Sequence, residues 1–337
     1  MLSGQINLRT VTRNIINIKK KLKPTTKFCA VVKTDAYGFG LTRVSNLIEP
    51  LVDCFAVATL AEGVALRQAG IQKDILIFGV TDDVECAIKH NLIITIGSLT
   101  AAKNLVKNHW QPRIHLGINT GMNRFGLNSI HELRAVLQIL SAANIEGCYT
   151  HLAYESDHPE QVKAALVLFQ KFVYVVKKYY PNVLVHAGCS GVINYPAAHY
   201  DMIRIGKAMY GGTADTQTAI TLQSKIVAVQ KIKAGATVGY NGEFTAPAPM
   251  VVGVVQGGYA QGIQMNFTGT DFVTVAKQRC PIIGRICMDH FFIDVSHINQ
   301  PLGKTVVIIS PAPHQTLMAI AQQTNNIPCR ILLGLKH

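Results

Sequence analysis

Residues 27–40 read KFCAVVKTDAYGFG, five apolar residues in succession, then Lys33, then a tail rich in turn formers. A run this apolar, with paired valines, suits a strand buried on both faces, and ending it on a lysine is costly unless something there needs the charge. Seven further runs share the grammar: DCFAVAT (53–59), DILIFG (74–79), LIITIG (92–97), RIHLGIN (113–119), IEGCYTHL (145–152), VLVHAGCS (183–190) and MIRIG (202–206). Between them lie segments such as LAEGVALRQAG (60–70) and SIHELRAVLQILSAAN (129–144), whose apolar residues recur at three- and four-residue intervals as an amphipathic helix requires. Buried strands alternating with helices imply a parallel sheet covered on its outer face. Eight such units in about 200 residues predict an α/β fold of the (β/α)8 TIM-barrel type, with an open doubly wound sheet as the alternative. The segment between the seventh and eighth runs is too short for a full helix.

After YGGTADTQTAIT (210–221) the pattern changes. LQSKIVAVQKI (222–232), ATVGYNGEFTA (236–246), MVVGVVQGGYA (250–260), DFVTVAK (271–277) and KTVVIIS (304–310) follow one another with Gly, Pro and Asn turns, and helical period returns only at HQTLMAIAQQTN (314–325). The expected organisation is a barrel over residues 1–214 and a mainly β domain over 215–337.

Composition narrows the class. Of 337 residues 49% are apolar and 15% charged, which excludes a disordered chain. Lys and Arg exceed Asp and Glu by 32 to 19, a net charge of +13, yet the basic residues are scattered. The densest run, KKKLK (19–23), falls where a first helix should end, a position that favours cations. With no basic stretch interleaved with aromatics, no nucleic-acid partner is expected. The eight cysteines show no C-x-x-C spacing, the N-terminus lacks an apolar signal core, and no apolar stretch reaches the roughly 18 residues of a membrane span. A cytoplasmic protein without membrane or metal partners is expected.

In such a barrel chemistry gathers where strands end. The residues at those ends include Lys33, Asn119, His151, Ser190, Arg204 and Gly206, a polar set for apolar strands. Ser190 with Gly191, and RIGKAMYGG (204–212), offer a hydroxyl, backbone N–H groups and glycines where barrels hold a phosphate. A phosphorylated cofactor fits, and a desolvated lysine facing a cofactor aldehyde can condense with it.

The stretch AVVKTDAYGFG (30–40) resembles the cofactor-lysine motif of the alanine racemases, fold-type III enzymes that carry pyridoxal 5'-phosphate. NTGMNRFG (119–126), THLA (150–153), YGGTA (210–214), VGYNGEFTA (238–246), GGYAQG (257–262) and CPIIGRICMDH (280–290) resemble further family segments in the same order, over nearly the whole chain. The resemblance implies that Lys33 carries the cofactor and is the base for D-alanine, while Tyr240 is the base for L-alanine. It implies that Tyr37, Ser190, Gly206 and Lys207 hold the phosphate, that His151 lies near the pyridine ring and that Arg204 faces its nitrogen. Arg124, Tyr259 and Met288 would position alanine, with Asp289 supporting that loop. It also implies a homodimer in which Tyr240, Tyr259, Met288 and Asp289 come from the partner subunit, and a role in supplying D-alanine for peptidoglycan. The physical logic agrees: a racemase moves a proton off one face of a carbon and onto the other, so two bases on different domains are a direct solution. A tyrosine base needs cationic neighbours near neutrality, and His151 and Arg204 are the expected ones.

The sequence departs from the family pattern in places. Many members carry a carbamylated lysine and an aspartate where this chain has Gly117 and Asn119, so the support of Arg124 must differ; a bound anion such as chloride is one substitute. Cys189, Ile205, Lys207 and Gln261 replace a usual asparagine, proline, isoleucine and aspartate, and ILLGLKH (331–337) ends before the family's closing segment. The alternatives are a broad-specificity or serine racemase, since entrance residues decide side-chain size, and, on account of these departures, a weakly active pyridoxal-phosphate-binding homologue.

Overall fold

The computed structural model describes residues 2–267 and 272–335. The chain divides into two compact units, Ile15–Gly206 and the residues before and after it. A first strand, β1 (Ser3–Ile6), and helix α1 (Leu8–Lys19) precede the barrel strands β2 (Lys27–Val31), β3 (Cys54–Val57), β4 (Asp74–Ile77), β5 (Ile93–Ile96), β6 (Arg113–Ile118), β7 (Asn144–Thr150), β8 (Leu184–His186) and β9 (Met202–Ile205). All eight expected runs contain a strand, paired in parallel in the order β8-β7-β6-β5-β4-β3-β2-β9. The two ends of that order meet: Asp201 N–H donates to Val185 O (3.0 Å) and Arg204 N–H to Gly188 O (3.0 Å), closing the sheet. An open doubly wound sheet is thereby excluded.

The helices between these strands start where side-chain oxygens accept orphan backbone N–H groups. Thr59 and Glu62 form a capping box on α4 (Leu60–Gln68). Asp83 caps α5 (Val84–Lys89), Ser98 caps α6 (Leu99–Lys107), and Ser129 caps α7 (Ile130–Ile139). The long α8 (Pro159–Tyr179) opens on a proline, whose missing N–H costs nothing there. Between β8 and β9 stand two short 3-10 turns, Ser190–Val192 and Pro196–Ala198, in place of a helix.

Side chains fill the barrel, as a closed eight-stranded sheet requires. One layer is apolar: Cys29, Val31, Ala56, Leu76, Ile93 and Met202 pack together. At the N-terminal end of the strands Arg113 bridges Asp74 (2.7 Å) and Glu146 (2.8 Å), and both carboxylates hold its pKa above the ordinary arginine range. That trio serves stability, since the chemistry of such barrels sits at the other end.

The second unit is an antiparallel sheet in the order β1-β10-β13-β16-β15-β14-β17, with β10 (Ile220–Ile232) also pairing β17 (Thr305–Ile309). Its other strands are β13 (Met250–Gln256), β14 (Phe272–Val275), β15 (Gln278–Ile283) and β16 (His290–Asp294), and β11 (Thr237–Val238) and β12 (Phe244–Thr245) make a separate hairpin. The expected run DFVTVAK begins at Asp271, outside the described residues, and from Phe272 on it is β14. The N-terminal strand belongs here, because Ser3–Ile6 pairs with Gln223–Ile220 of β10.

Candidate active site

Lys33 stands two residues beyond β2, at the entrance of a short turn, α2 (Lys33–Gly38). Its next four residues, Thr34, Asp35, Ala36 and Tyr37, all have positive φ between 52° and 59°. A left-handed turn of non-glycine residues costs roughly 1–2 kcal/mol per residue, so its surroundings must hold it. They do: Glu62 of the α4 capping box accepts the Thr34 N–H with one carboxylate oxygen and the Ala58 N–H (2.8 Å) with the other, and Asp35 Oδ1 accepts the Leu41 N–H (2.7 Å). The turn fixes the exit of the lysine and swings Tyr37 inward.

Tyr37 is buried and its hydroxyl presses on the backbone of Gly206, where a Cβ would lie 2.2 Å from it. The Gly206 N–H donates to Ser190 Oγ (3.1 Å), and Ser190 itself is buried on the turn after β8. Tyr37, Ser190 and Gly206 therefore converge on one corner of the mouth, with hydroxyls and backbone N–H groups and no room for a side chain at 206. Lys207, the next residue, opens the 3-10 turn Lys207–Tyr210 of the second unit.

Arg204 is buried at 3% exposure, and its guanidinium donates to acceptors around it. Nη2 donates to Thr150 O (2.7 Å) and Ala187 O (3.2 Å), and Nη1 lies 2.9 Å from His186 Nδ1. Burial lowers its pKa, but a guanidinium stays charged in proteins and can only donate. His186 must then accept at Nδ1, which leaves its proton on Nε2, 3.0 Å from His115 Nδ1. The whole chain is fixed in one tautomer. Burial, then Arg204, then His115 keep His186 well below its ordinary pKa, and burial followed by Arg113 lowers His115 to about 3. Tyr149 completes the wall: it stacks on His186 (5.0 Å, 17°), lies 5.2 Å from the Arg204 guanidinium and shares a hydrogen bond with Thr95 (3.1 Å).

These neutral imidazoles carry a pH consequence. Unfolded histidines titrate near 6.5, whereas His115 and His186 titrate far lower when folded, so between those values the unfolded chain binds more protons and stability rises with pH. Thermal melts from pH 7 downward should show Tm constant near neutrality and falling once pH drops below about 6.5, with a slope approaching two protons from this pair. A Tm flat from pH 7 to 4.5 would contradict neutral buried histidines.

His151, just past β7, is the meeting point of the mouth. Burial, then Arg204, Arg124 and Lys33 in that order, lower its pKa to about 3. The reading that His151 supplies positive charge is thus corrected: enclosed and ringed by three cations, it stays a neutral imidazole, and the charge comes from the arginines and the lysine. Arg124 is exposed on the loop between β6 and α7, its guanidinium 6.0 Å from the Phe125 ring.

The departures have visible consequences. A Cβ on Gly117 would lie 3.1 Å from Thr95 Cγ2 and 3.8 Å from the Tyr149 hydroxyl, so that pair occupies the space beside it. Cys189 bridges Arg204 backbone to backbone, and Ile205 is fully buried. Sequence reasoning passed over His115, His186, Tyr149 and Glu62; the two histidines were detectable as polar residues at inward positions of apolar runs.

In the second unit three adjoining loops carry the remaining residues. Gly258 lets the Cys287–Met288 backbone approach where a Cβ would sit 2.2 Å from Cys287 O. Tyr259 N–H donates to Cys287 O (3.1 Å), Ala260 N–H to Met288 O (2.9 Å) and Gly257 N–H to Asp289 O (2.6 Å), so Tyr259, Met288 and Asp289 are brought together. Gln261 keeps an acceptor role, taking the Gly258 N–H (2.9 Å), and Asp289 meets His290 Nδ1 (2.9 Å). Tyr240 follows Gly239, whose φ of 77° and contact with Arg285 place it beside the same segment. Tyr240, Tyr259 and Met288 are exposed at 66%, 41% and 58%. Among the described residues no cluster of His, Cys, Asp and Glu is arranged to hold a metal ion, and no helix is long and apolar enough to cross a membrane.

A closed parallel barrel with lysine, two arginines and a glycine–hydroxyl corner at the C-terminal ends of its strands has the architecture of a barrel enzyme, with cationic and hydrogen-bonding groups where such barrels carry their chemistry. The family models described as alanine racemase, N-terminal domain, and alanine racemase, C-terminal domain, match residues 6–214 and 219–337. The chain belongs to the alanine racemase family of isomerases. It is 35% identical over 350 residues to an alanine racemase of Streptococcus pyogenes, covering 98% of this chain and 94% of that one. Among solved structures it resembles alanine racemase from D-cycloserine-producing Streptomyces lavendulae (25% identity, TM-score 0.91, 99% of this chain and 94% of that one). It shares its fold with alanine racemase from Bartonella henselae with covalently bound pyridoxal phosphate (24% identity, TM-score 0.88, 100% and 97%).

Proposed function

We propose that this chain interconverts L- and D-alanine with pyridoxal 5'-phosphate, using Lys33 and Tyr240 as two bases, and supplies D-alanine for peptidoglycan in the cytoplasm. The observation that carries the reading is the barrel mouth, where Lys33 just beyond β2, the buried Arg204 and the Ser190–Gly206 corner stand at the strand ends. The residues suit the cofactor: the Tyr37–Ser190–Gly206 corner offers two hydroxyls and a backbone N–H, with the Tyr37 hydroxyl standing where a Cβ at 206 would lie, and such groups suit a phosphate. Lys33 would hold the aldehyde covalently, Lys207 would add a backbone donor at the phosphate, His151 would lie beside the ring, and Arg204 would face the ring nitrogen. When bound, the cofactor supplies an electron sink that acidifies the substrate's α-proton. Arg204, permanently charged and held by a neutral histidine, would disfavour protonation of that nitrogen, which would temper the sink and suit racemisation over transamination.

The chain's own residues then do the proton work. Lys33 takes or returns the α-proton on the D side and Tyr240 on the L side, while Arg124, Tyr259 and Met288, the last on a loop steadied by Asp289, orient alanine. Residues up to 214 bind the cofactor, and residues from 215 on complete the site of a partner subunit in a homodimer. Three large side chains exposed on adjoining loops support a surface that a partner covers. Purified protein should be yellow, and borohydride reduction followed by peptide mapping should place a pyridoxyl group on Lys33. Incubation with each L-amino acid and chiral separation should give D-alanine fastest. A label on another lysine, or no D-alanine, would reject the reading.

A further inference from the structure

The loop that carries Arg124 is organised around one neutral side chain. Asn119 Nδ2 donates to Asn123 Oδ1 (2.9 Å) and to Asn128 Oδ1 (2.7 Å), and its Oδ1 accepts the N–H groups of Gly121 (3.1 Å) and Asn123 (3.0 Å). A primary amide has two donor hydrogens and an oxygen with two lone pairs, so the capacity of Asn119 is used in full. The loop is pinched shut below it, with Asn119 N–H on Leu127 O (3.0 Å) and Leu127 N–H on Gly117 O (2.9 Å). Gly126, at φ 118°, passes so close that a Cβ would lie 2.6 Å from Asn119 N. Asn123 takes φ 55°, a conformation asparagine tolerates better than most residues, and Arg124 follows it directly. On the far side the Asn128 N–H donates to Glu132 (2.9 Å), tying the loop to the first turn of α7.

We propose that Asn119 is the positioning residue for Arg124: an amide hub shapes residues 119–128 so that the guanidinium meets the substrate carboxylate, without support from a charged neighbour. This rests on the reading of Arg124 as the carboxylate ligand of alanine. The hub needs a donor at one of positions 119 and 128 and an acceptor at the other. An aspartate at 119 could accept both backbone N–H groups but could donate to neither Asn123 nor Asn128 unless those side chains turned over. Next to the hub, even a Cβ at Gly117 would press on Thr95 Cγ2 at 3.1 Å and touch the Tyr149 hydroxyl at 3.8 Å.

Hydrogen-bond polarity gives the test. Asn128→Asp keeps an acceptor for Asn119 Nδ2, and Asn119→Asp can be met by a turned Asn128 amide, so each single change should raise KM for L-alanine by less than about threefold. Asn119→Asp with Asn128→Asp sets carboxylate against carboxylate at a hydrogen-bond distance. The pair should raise KM by about tenfold or more beyond the product of the singles, with kcat within about threefold and the cofactor absorbance kept. Hydrogen exchange of amides 119–128 in cofactor-free protein should quicken in the double variant and in Asn119→Ala, and should stay near wild type in Asn128→Asp. Multiplicative effects of the two singles, or slow exchange and unchanged KM in Asn119→Ala, would overturn the hub. If the unaltered chain does not racemise alanine, the functional reading falls, and the exchange pattern decides the hub by itself.

Discussion

Tyr240→Phe slows loss of the α-proton from L-alanine by about 10²- to 10⁴-fold, the range expected for removing a general base, and leaves exchange from D-alanine largely in place. On the proposed roles the asymmetry follows from giving each face of the carbon its own base: Lys33 would still serve the D side, and only proton transfer at the other face would be lost. Phenylalanine keeps the ring, and position 240 is two-thirds exposed in the single chain, so the change removes only the hydroxyl with little effect on folding. Deuterium uptake at the α-carbon, followed by NMR from each enantiomer separately in D2O, reads the two faces independently. Equal loss from both enantiomers would make the tyrosine a structural element, and unchanged racemisation would reject its role.

The barrel was legible because its strands are buried on both faces, so their composition alone marks them: RIHLGIN was expected at 113–119 and the strand runs Arg113–Ile118. The polar residues ending those runs were legible for the same reason, as expensive exceptions in apolar surroundings. What escaped depends on partners distant in sequence. The left-handed turn after Lys33 is held by Glu62, a residue that reads locally as half of a capping box. The chain from Arg204 through His186 to His115 spans three strands and sets protonation states that none of those residues announces alone. His151 looked cationic in sequence and is neutral in place, because burial among three cations outweighs its ordinary basicity. β1 is four residues long and pairs more than two hundred residues away, too short for periodicity to assign. Asn119 stood out only as a missing charge, and its compensation lies in two other asparagines of the same loop.

Mixing two dead proteins should restore racemisation. On the proposed roles Lys33→Ala would lack the base carried by the barrel and Tyr240→Phe the base carried by the β unit, so each homodimer should be nearly inactive. If Tyr240 serves the site of the partner subunit, a mixed dimer contains one site with Lys33 from one chain and Tyr240 from the other, both intact, while its second site carries both lesions. A closed two-fold pair makes this partition exact, because each chain contributes the same two surfaces. Random reassociation yields about half mixed dimers, each with one of two sites alive, so activity should recover to about a quarter of wild type when the sites act independently. Mass spectrometry of intact dimers from differently tagged chains measures the exchange itself. With exchange established, no recovery would mean that both bases of a site belong to one chain, since every site in the mixture would then hold a lesion, and the shared-site arrangement would fall.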